Sequence, residues 1–179
     1  MSTAIVSFSG RAAGSCAGIA RYVQRLTGGE LFLFSQFSVH PCGRCGYECF
    51  SPDASCPYLS DGLYALYDAI ANSAMEYFIL PNYCDYPCAN FFIFNERSQC
   101  YFQRQPKLVA QYARVKKRAI VVSNTEQASF RAALSQQSDS TVDMLFLRAK
   151  DFGRISLRGD LMEEQSVRER VASFVTGNT

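Results

Sequence analysis

A single histidine, a net charge of only +2 and no unbroken apolar run of about 18 residues set the first limits on this 179-residue chain. With 18 Lys+Arg against 16 Asp+Glu, the chain lacks the basic excess needed to neutralise a run of phosphates, which argues against a nucleic-acid binder. Without a long apolar run no membrane-spanning helix is expected, and the first residues show no basic stretch leading into an apolar one, so a cytoplasmic protein is expected. The lone His40 has no partner that would make it part of a Ser-His-Asp or Cys-His machine, and it is read as structural or exposed. There is no internal repeat and no low-complexity tail. What remains is ample: 48% of residues are hydrophobic, enough for one well-buried core, so residues 1–179 are read as one domain.

Short apolar runs alternate with helical patterns. Ala4-Ile5-Val6-Ser7-Phe8 reads as a strand leading into a turn-rich loop, and Cys16, Ile19, Ala20, Val23 and Leu26 recur at helical spacing over about 15–27 until Gly28-Gly29. Leu31-Phe32-Leu33-Phe34 reads as a second strand. A helix follows with Leu63, Leu66, Tyr67 and Ile70 on one face and Asp61 as its N-cap. Tyr77-Phe78-Ile79-Leu80 is a third strand ending at Pro81, and the aromatic segment 89–102 is read as helical. Residues 118–123 form a fourth strand, Phe130, Ala133 and Leu134 mark a helix, and 143–147 form a fifth strand. Val167, Val171, Phe174 and Val175 give the stripe of a last helix. Fully apolar strands separated by helices predict a five-stranded parallel sheet in a three-layer α/β/α sandwich.

In such a sheet ligands sit beyond the carboxyl ends of the strands, near the point where strand order reverses. The loop after the first strand, Ser9-Gly10-Arg11-Ala12-Ala13-Gly14-Ser15-Cys16, offers hydroxyls, a guanidinium and backbone N–H groups at a helix start, which suits a terminal phosphate. It is neither a Gly-Lys-Ser/Thr phosphate loop nor a Gly-x-Gly-x-x-Gly fingerprint. An ordinary capped turn would account for this segment taken alone. Taken with Pro81-Asn82-Tyr83-Cys84 and Ser123-Asn124-Thr125, it resembles the flavodoxin-like NAD(P)H-dependent FMN reductases, across nearly the whole chain and in the right order. That family's first loop runs roughly Gly-Ser-Pro-Arg, two residues, then Gly-Asn-Thr. Here Ser9, Arg11, Gly14, Ser15 and Cys16 take the matching places, while Phe8 and Gly10 stand where the family usually has Gly and Pro, and Cys16 stands for a Thr.

The resemblance implies a flavodoxin-like domain that binds FMN. Ser9, Arg11, Gly14, Ser15 and Cys16 would hold the phosphate, Pro81, Asn82, Tyr83 and Cys84 would lie against the ring, and Ser123 and Asn124 would complete the wall. It implies chemistry centred on the flavin, with no catalytic triad, fed by NAD(P)H and delivering to an unidentified acceptor. Members of the family are commonly dimers or tetramers. The aromatic content of 89–102, with Phe91, Phe92, Phe94, Tyr101 and Phe102, is also more than a small monomer needs near its surface, so a homodimer or homotetramer is expected.

The connection at 36–60 is unusually long and holds Cys42-x2-Cys45-x3-Cys49-x6-Cys56. Four thiolates in that span suit a [4Fe–4S] cluster better than zinc, since only one Cys-x2-Cys knuckle is present, and the run is similar to that of iron–sulfur flavoproteins in the same broad family. Free or loosely packed thiols are preferred to either metal. Two further functions therefore stand beside the reductase: an iron–sulfur flavoprotein electron carrier, and a non-enzymatic flavodoxin-like interaction protein. Cys84 and Cys88, beside the presumed flavin loop, and Cys16 and Cys100 are read as small buried hydrophobes. The run Arg114-Val115-Lys116-Lys117-Arg118 is read as solvated surface in preference to a contact for the 2′-phosphate of NADPH.

Overall fold

A computed structural model describes residues 2–43, 45–51, 56–103, 105–123 and 128–177. In chain order these form β1 (Thr3–Ser7), α1 (Ser15–Thr27), β2 (Glu30–Leu33), α2 (Leu63–Ala71), β3 (Met75–Tyr83), β4 (Tyr86–Pro87), α3 (Ala89–Phe102) and α4 (Pro106–Arg114). Then come β5 (Lys116–Ser123), α5 (Ala128–Leu134), β6 (Asp143–Arg148) and α6 (Gln165–Thr176), with short 3-10 turns between them. The sheet runs β2-β1-β3-β5-β6 with all these pairs parallel, and β4 adds a short antiparallel pair to β3. This is the doubly wound sheet expected from the sequence. Among the described residues no helix is long and apolar enough to cross a membrane.

The strands are apolar throughout because both sheet faces are covered. Successive side chains point to opposite faces, so Ala4, Val6, Phe78, Leu80, Ala119 and Val121 pack on one side with Leu66 and Ile70 of α2 and Phe91 and Phe94 of α3. Ile5, Tyr77, Ile79, Ile120 and Val122 point the other way, onto Ile19 and Val23 of α1 and Val167 and Val171 of α6. Fully burying one such large side chain contributes roughly 1.5–3 kcal/mol. The sheet is therefore held between two apolar layers rather than on one.

Five features differ from the sequence expectations. Strand β3 does not end at Pro81 but continues to Tyr83. Phe8 donates its N–H to the Ile79 carbonyl, so Ile79 and, two residues on, Pro81 face the β1 side, where the last paired residues are Ser7 and Ile79. The N–H that proline lacks would point where no strand waits to receive it. Helix α4 was not foreseen; Pro106 opens it, where a missing N–H is harmless. Asp61 stands one residue before the Gly62 cap of α2, yet its Oδ1 still accepts the Leu63 N–H at 3.3 Å.

The fourth difference concerns the aromatic segment. Phe91, Phe94 and Tyr101 are buried in the core, and Phe8 meets the rings of Phe34, Phe78, Phe91 and Phe94 at centroid distances of 4.9–5.5 Å. Phe91, Phe94 and Tyr101 thus belong to the core, while Phe92 stays 39% exposed. The fifth concerns the basic run, which is not uniformly solvated. Lys116 is exposed, but Lys117 is fully buried 4.0 Å from an equally buried Glu76, donates to the Tyr112 carbonyl at 2.6 Å and lies 4.1 Å from the Tyr112 ring centroid. Pairing of Glu76 with Lys117 on neighbouring strands and closure by α4 bring them inside.

A second buried charge fastens the long connection. Arg97 of α3, 1% exposed, donates to Asp61 Oδ2 at 2.6 Å, to the His40 carbonyl at 2.8 Å and to the Tyr58 carbonyl at 3.0 Å. His40 stacks on Tyr58 with ring centroids 4.4 Å apart, which is the structural role read for it. Arg97→Met keeps the volume but leaves Asp61 buried and unpaired; a loss of about 3–5 kcal/mol is expected in chemical denaturation.

Burial pushes the Glu76 carboxyl up from 4.5 to about 8, against the opposing pull of Lys117. The folded chain then holds this proton more tightly than the unfolded one does. Its contribution is complete below about 4.5 and is lost as pH rises through about 8. The difference in unfolding midpoint between the native chain and Glu76→Gln should therefore move against the native chain across that window, and a pH-independent difference would refute the assignment.

Candidate functional site

The strand order reverses between β1 and β3: β2 lies outside β1, and β5 lies beyond β3. The loops leaving the carboxyl ends of these two strands diverge, and a crevice of about 390 Å³, mouth included, opens there. Ser9, Arg11, Gly14, Ser15 and Cys16 line one side of it and Pro81, Asn82 and Tyr83 the other. Eight of the residues singled out in the sequence thus meet around one space. Cys84 does not join them, and Ser123 stands behind the lining; Asn124 lies outside the described residues.

Local chemistry explains the first wall. The Phe8 carbonyl, where the loop leaves β1, accepts from Asn90 Nδ2 at 2.8 Å and from the Cys88 thiol at 3.3 Å, so the start of α3 holds this loop in place. Burial keeps the Cys88 thiol protonated and able to donate. Ser9 Oγ accepts the Arg11 N–H at 3.1 Å, which shapes the turn. Helix α1 then begins after Gly14 with no side-chain cap and no acidic residue in its first turn, so its first N–H groups and its positive dipole end are left for something else. Beside them the Ser15 hydroxyl is buried without a hydrogen-bond partner. Cys16 is buried as well, and burial raises its thiol far above the usual range, so it presents a neutral S–H. Together these groups form a donor-rich cradle suited to an anion with several oxygens, such as a terminal phosphate.

The second wall is the end of β3. Asn82 Nδ2 donates to Ser123 Oγ at 2.8 Å, which makes Ser123 a support for Asn82. Tyr83 pairs with Tyr86 across a two-residue turn in which Cys84 and Asp85 have φ of 53° and 66°, the positive values that a type I′ hairpin requires. Cys84 is thereby turned to solvent, which is why it misses the crevice. Tyr83 remains 54% exposed at the rim, with its hydroxyl pKa raised by burial of the oxygen and by the nearby Cys88 and Cys16 thiols.

The sequence reading missed Val122, Ser156 and Leu157, which complete the lining. Val122 is the neighbour of Ser123 and was within reach of that reading. Ser156 and Leu157 come from the turn after β6, where only Gly153 and Gly159 mark a change of direction. The Leu157 carbonyl accepts from Arg11 Nη1 at 2.7 Å, so a guanidinium expected to serve a phosphate is engaged by a protein carbonyl.

The cysteine run does not assemble as expected. Among the described residues no group of three or more His, Cys, Asp or Glu is placed to hold a metal ion. Cys42, Cys45, Cys49 and Cys56 are all free thiols.

No protein-family model and no curated protein matches the chain. Solved structures do. It is similar to a Trp repressor binding protein from Bacillus subtilis, at 11% identity over 96% of both chains with a TM-score of 0.63. It is also similar to the NADH:FMN oxidoreductase EMOB in its apo form, at 12% identity over 98% of this chain and 87% of that one with a TM-score of 0.59. The azoreductase AzrA gives 10% identity over 99% of this chain and 100% of that one, with a TM-score of 0.60. At these identities the likeness is one of fold, the flavodoxin-like α/β sandwich.

Gly159 anchors the newly found wall. Its φ is +80°, and a Cβ there would meet the Ala13 carbonyl oxygen at 3.1 Å and Gly14 Cα at 3.2 Å, both backbone of the phosphate-type loop. Gly159→Ala is expected to lower stability by about 1–3 kcal/mol and to loosen the 155–158 turn from Arg11, read as faster amide exchange in that turn. Unchanged exchange would show that the contact does not depend on Gly159.

Proposed function

We propose that the chain is an FMN-binding oxidoreductase in which NAD(P)H supplies hydride and an acceptor takes up the reducing equivalents. The observation that carries this reading is the uncapped start of α1 with the buried, unpartnered Ser15 hydroxyl beside Arg11, at the strand-order reversal. The donor set fits a terminal phosphate: the first N–H groups of α1, the hydroxyls of Ser9 and Ser15, and the guanidinium of Arg11 once it leaves the Leu157 carbonyl. The fold shared with an NADH:FMN oxidoreductase and an azoreductase supports the same direction.

The residues divide the work. Arg11 and the α1 start neutralise and orient the phosphate end. Asn82, fixed by Ser123, offers polar contact along the second wall, and Tyr83 supplies an exposed aromatic rim on which a planar ring can rest. Bound FMN would supply the hydride-accepting ring, which no amino-acid side chain provides.

The test is a titration of the purified protein with FMN, followed spectroscopically, then anaerobic addition of NADH or NADPH. Binding with bleaching of the flavin absorbance is expected, and Arg11→Ala should weaken FMN binding about 10- to 100-fold, as expected for removing a hydrogen bond to a charged group. Failure to take up FMN at all would overturn the proposal. Uptake without reduction by either nucleotide would leave a flavin carrier that needs a different donor, and would overturn the NAD(P)H part.

A further inference from the structure

The turn after β6 meets the first wall of the crevice through a charged side chain. Its ends are firmly set. Arg154 is fixed by Glu164 at 2.7 Å and Asp160 at 2.9 Å, and Gly159 lies against the backbone of Ala13 and Gly14. The middle is held differently: Ile155 and Leu157 are 54% and 72% exposed, so apolar packing restrains them little, while the Leu157 carbonyl accepts from Arg11 Nη1 at 2.7 Å. The stem of Arg11 runs beside Gly14, where an added Cβ would meet Arg11 Cβ at 3.4 Å and Nε at 3.8 Å. The guanidinium therefore stands between the carbonyl of the turn and the donor cradle at the start of α1. Among the described residues it has no carboxylate partner.

We propose that Arg11 is an exchangeable latch: it ties the 154–158 turn to the crevice wall, and an oxyanion entering the cradle draws it away, so that binding releases the turn. This rests on the reading of the cradle as an anion site. The exchange is favourable because a hydrogen bond charged on both sides is roughly twice as strong as one to a neutral carbonyl. Losing the Leu157 bond costs little, since water replaces Arg11 at so exposed a residue. Leu157 also lines the crevice, so its release widens the mouth on that side. The phosphate end of a ligand, once bound, thereby makes room for the rest of it.

Amide NMR of the whole chain, titrated with inorganic phosphate against chloride at the same pH and ionic strength, separates the two steps. Shifts of the Ser15, Cys16 and Ala17 N–H signals report filling of the cradle. Hydrogen exchange of the Arg158 N–H, which donates to the Ile155 carbonyl at 3.0 Å, reports the turn. As the cradle fills, exchange at Arg158 should quicken about 3- to 10-fold, as for loss of one hydrogen bond, while the amides of β5 keep their rates. Arg11→Ala without phosphate should show the same fast turn, and phosphate should then add nothing. A filled cradle with unchanged exchange at Arg158 would overturn the latch and leave the anion site standing. Slower exchange would also overturn it, because the guanidinium would then bridge both acceptors. Native turn rates in Arg11→Ala would do the same. No shift at Ser15, Cys16 and Ala17 with either phosphate or FMN would remove the anion site, and the latch with it.

Discussion

Burying both faces of a parallel sheet is the constraint on which the rest depends. Strand β1 has neighbours on both sides and helical layers above and below, so it must be apolar along its length, and Ala4, Ile5 and Val6 are almost wholly buried. Parallel neighbours cannot be joined by tight turns. The chain therefore leaves β1 through α1 on one face to reach β2, then returns through α2 on the other face to reach β3. The crevice is the consequence: loops leaving β1 and β3 in different directions cannot fill the space between them. The candidate site is thus a product of the packing itself.

That packing takes in charge in two ways. Arg97 and Lys117 are both buried, but they are held in different ways. Arg97 is matched by a carboxylate and two carbonyls, a set whose geometry suits the planar guanidinium fork. Lys117 has two carbonyls for its ammonium and a carboxyl at the limit of ion-pair distance, and neither carboxyl oxygen of Glu76 has a hydrogen-bond partner. Burial lowers the Lys117 pKa while it raises that of Glu76, so both move toward their neutral forms. The first pair fixes chain geometry, whereas the second responds to pH.

Much of this was legible in the sequence because apolar runs and helical spacing report burial directly. The spans of α1 and α3 and the parallel sheet came from local patterns, and eight residues of the crevice came from loop position together with the family resemblance. What was not legible depends on residues far apart in the chain. Leu157 meets Arg11 across 146 positions, and nothing in either segment announces it. Lys117 looked like one member of a basic run because only its strand pairing reveals Glu76 beside it. The cysteine spacing suggested a shared centre, since spacing carries no information about how the connection folds around each thiol. Composition likewise misjudged Phe91 and Phe94: aromatic content shows that large rings must be buried somewhere, not whether a core or a partner buries them.

Helix α3 is where these separate features come together. Its first turn ties Asn90 to the Phe8 carbonyl and so sets the loop that begins the crevice. Just before it, the β3–β4 hairpin places Tyr83 at the rim by forcing Cys84, a non-glycine residue, into the left-handed region, at a cost of order 1–3 kcal/mol. Such strain persists only if the surroundings fix both ends of the turn. The Tyr83–Tyr86 pair fixes the turn itself, and burial of Cys88 and Phe91 fixes the chain that follows. Farther along, Arg97 holds the long connection against the same helix. One helix thus carries contacts both to the loop that begins the crevice and to the connection, because its two ends pack against segments far apart in the chain.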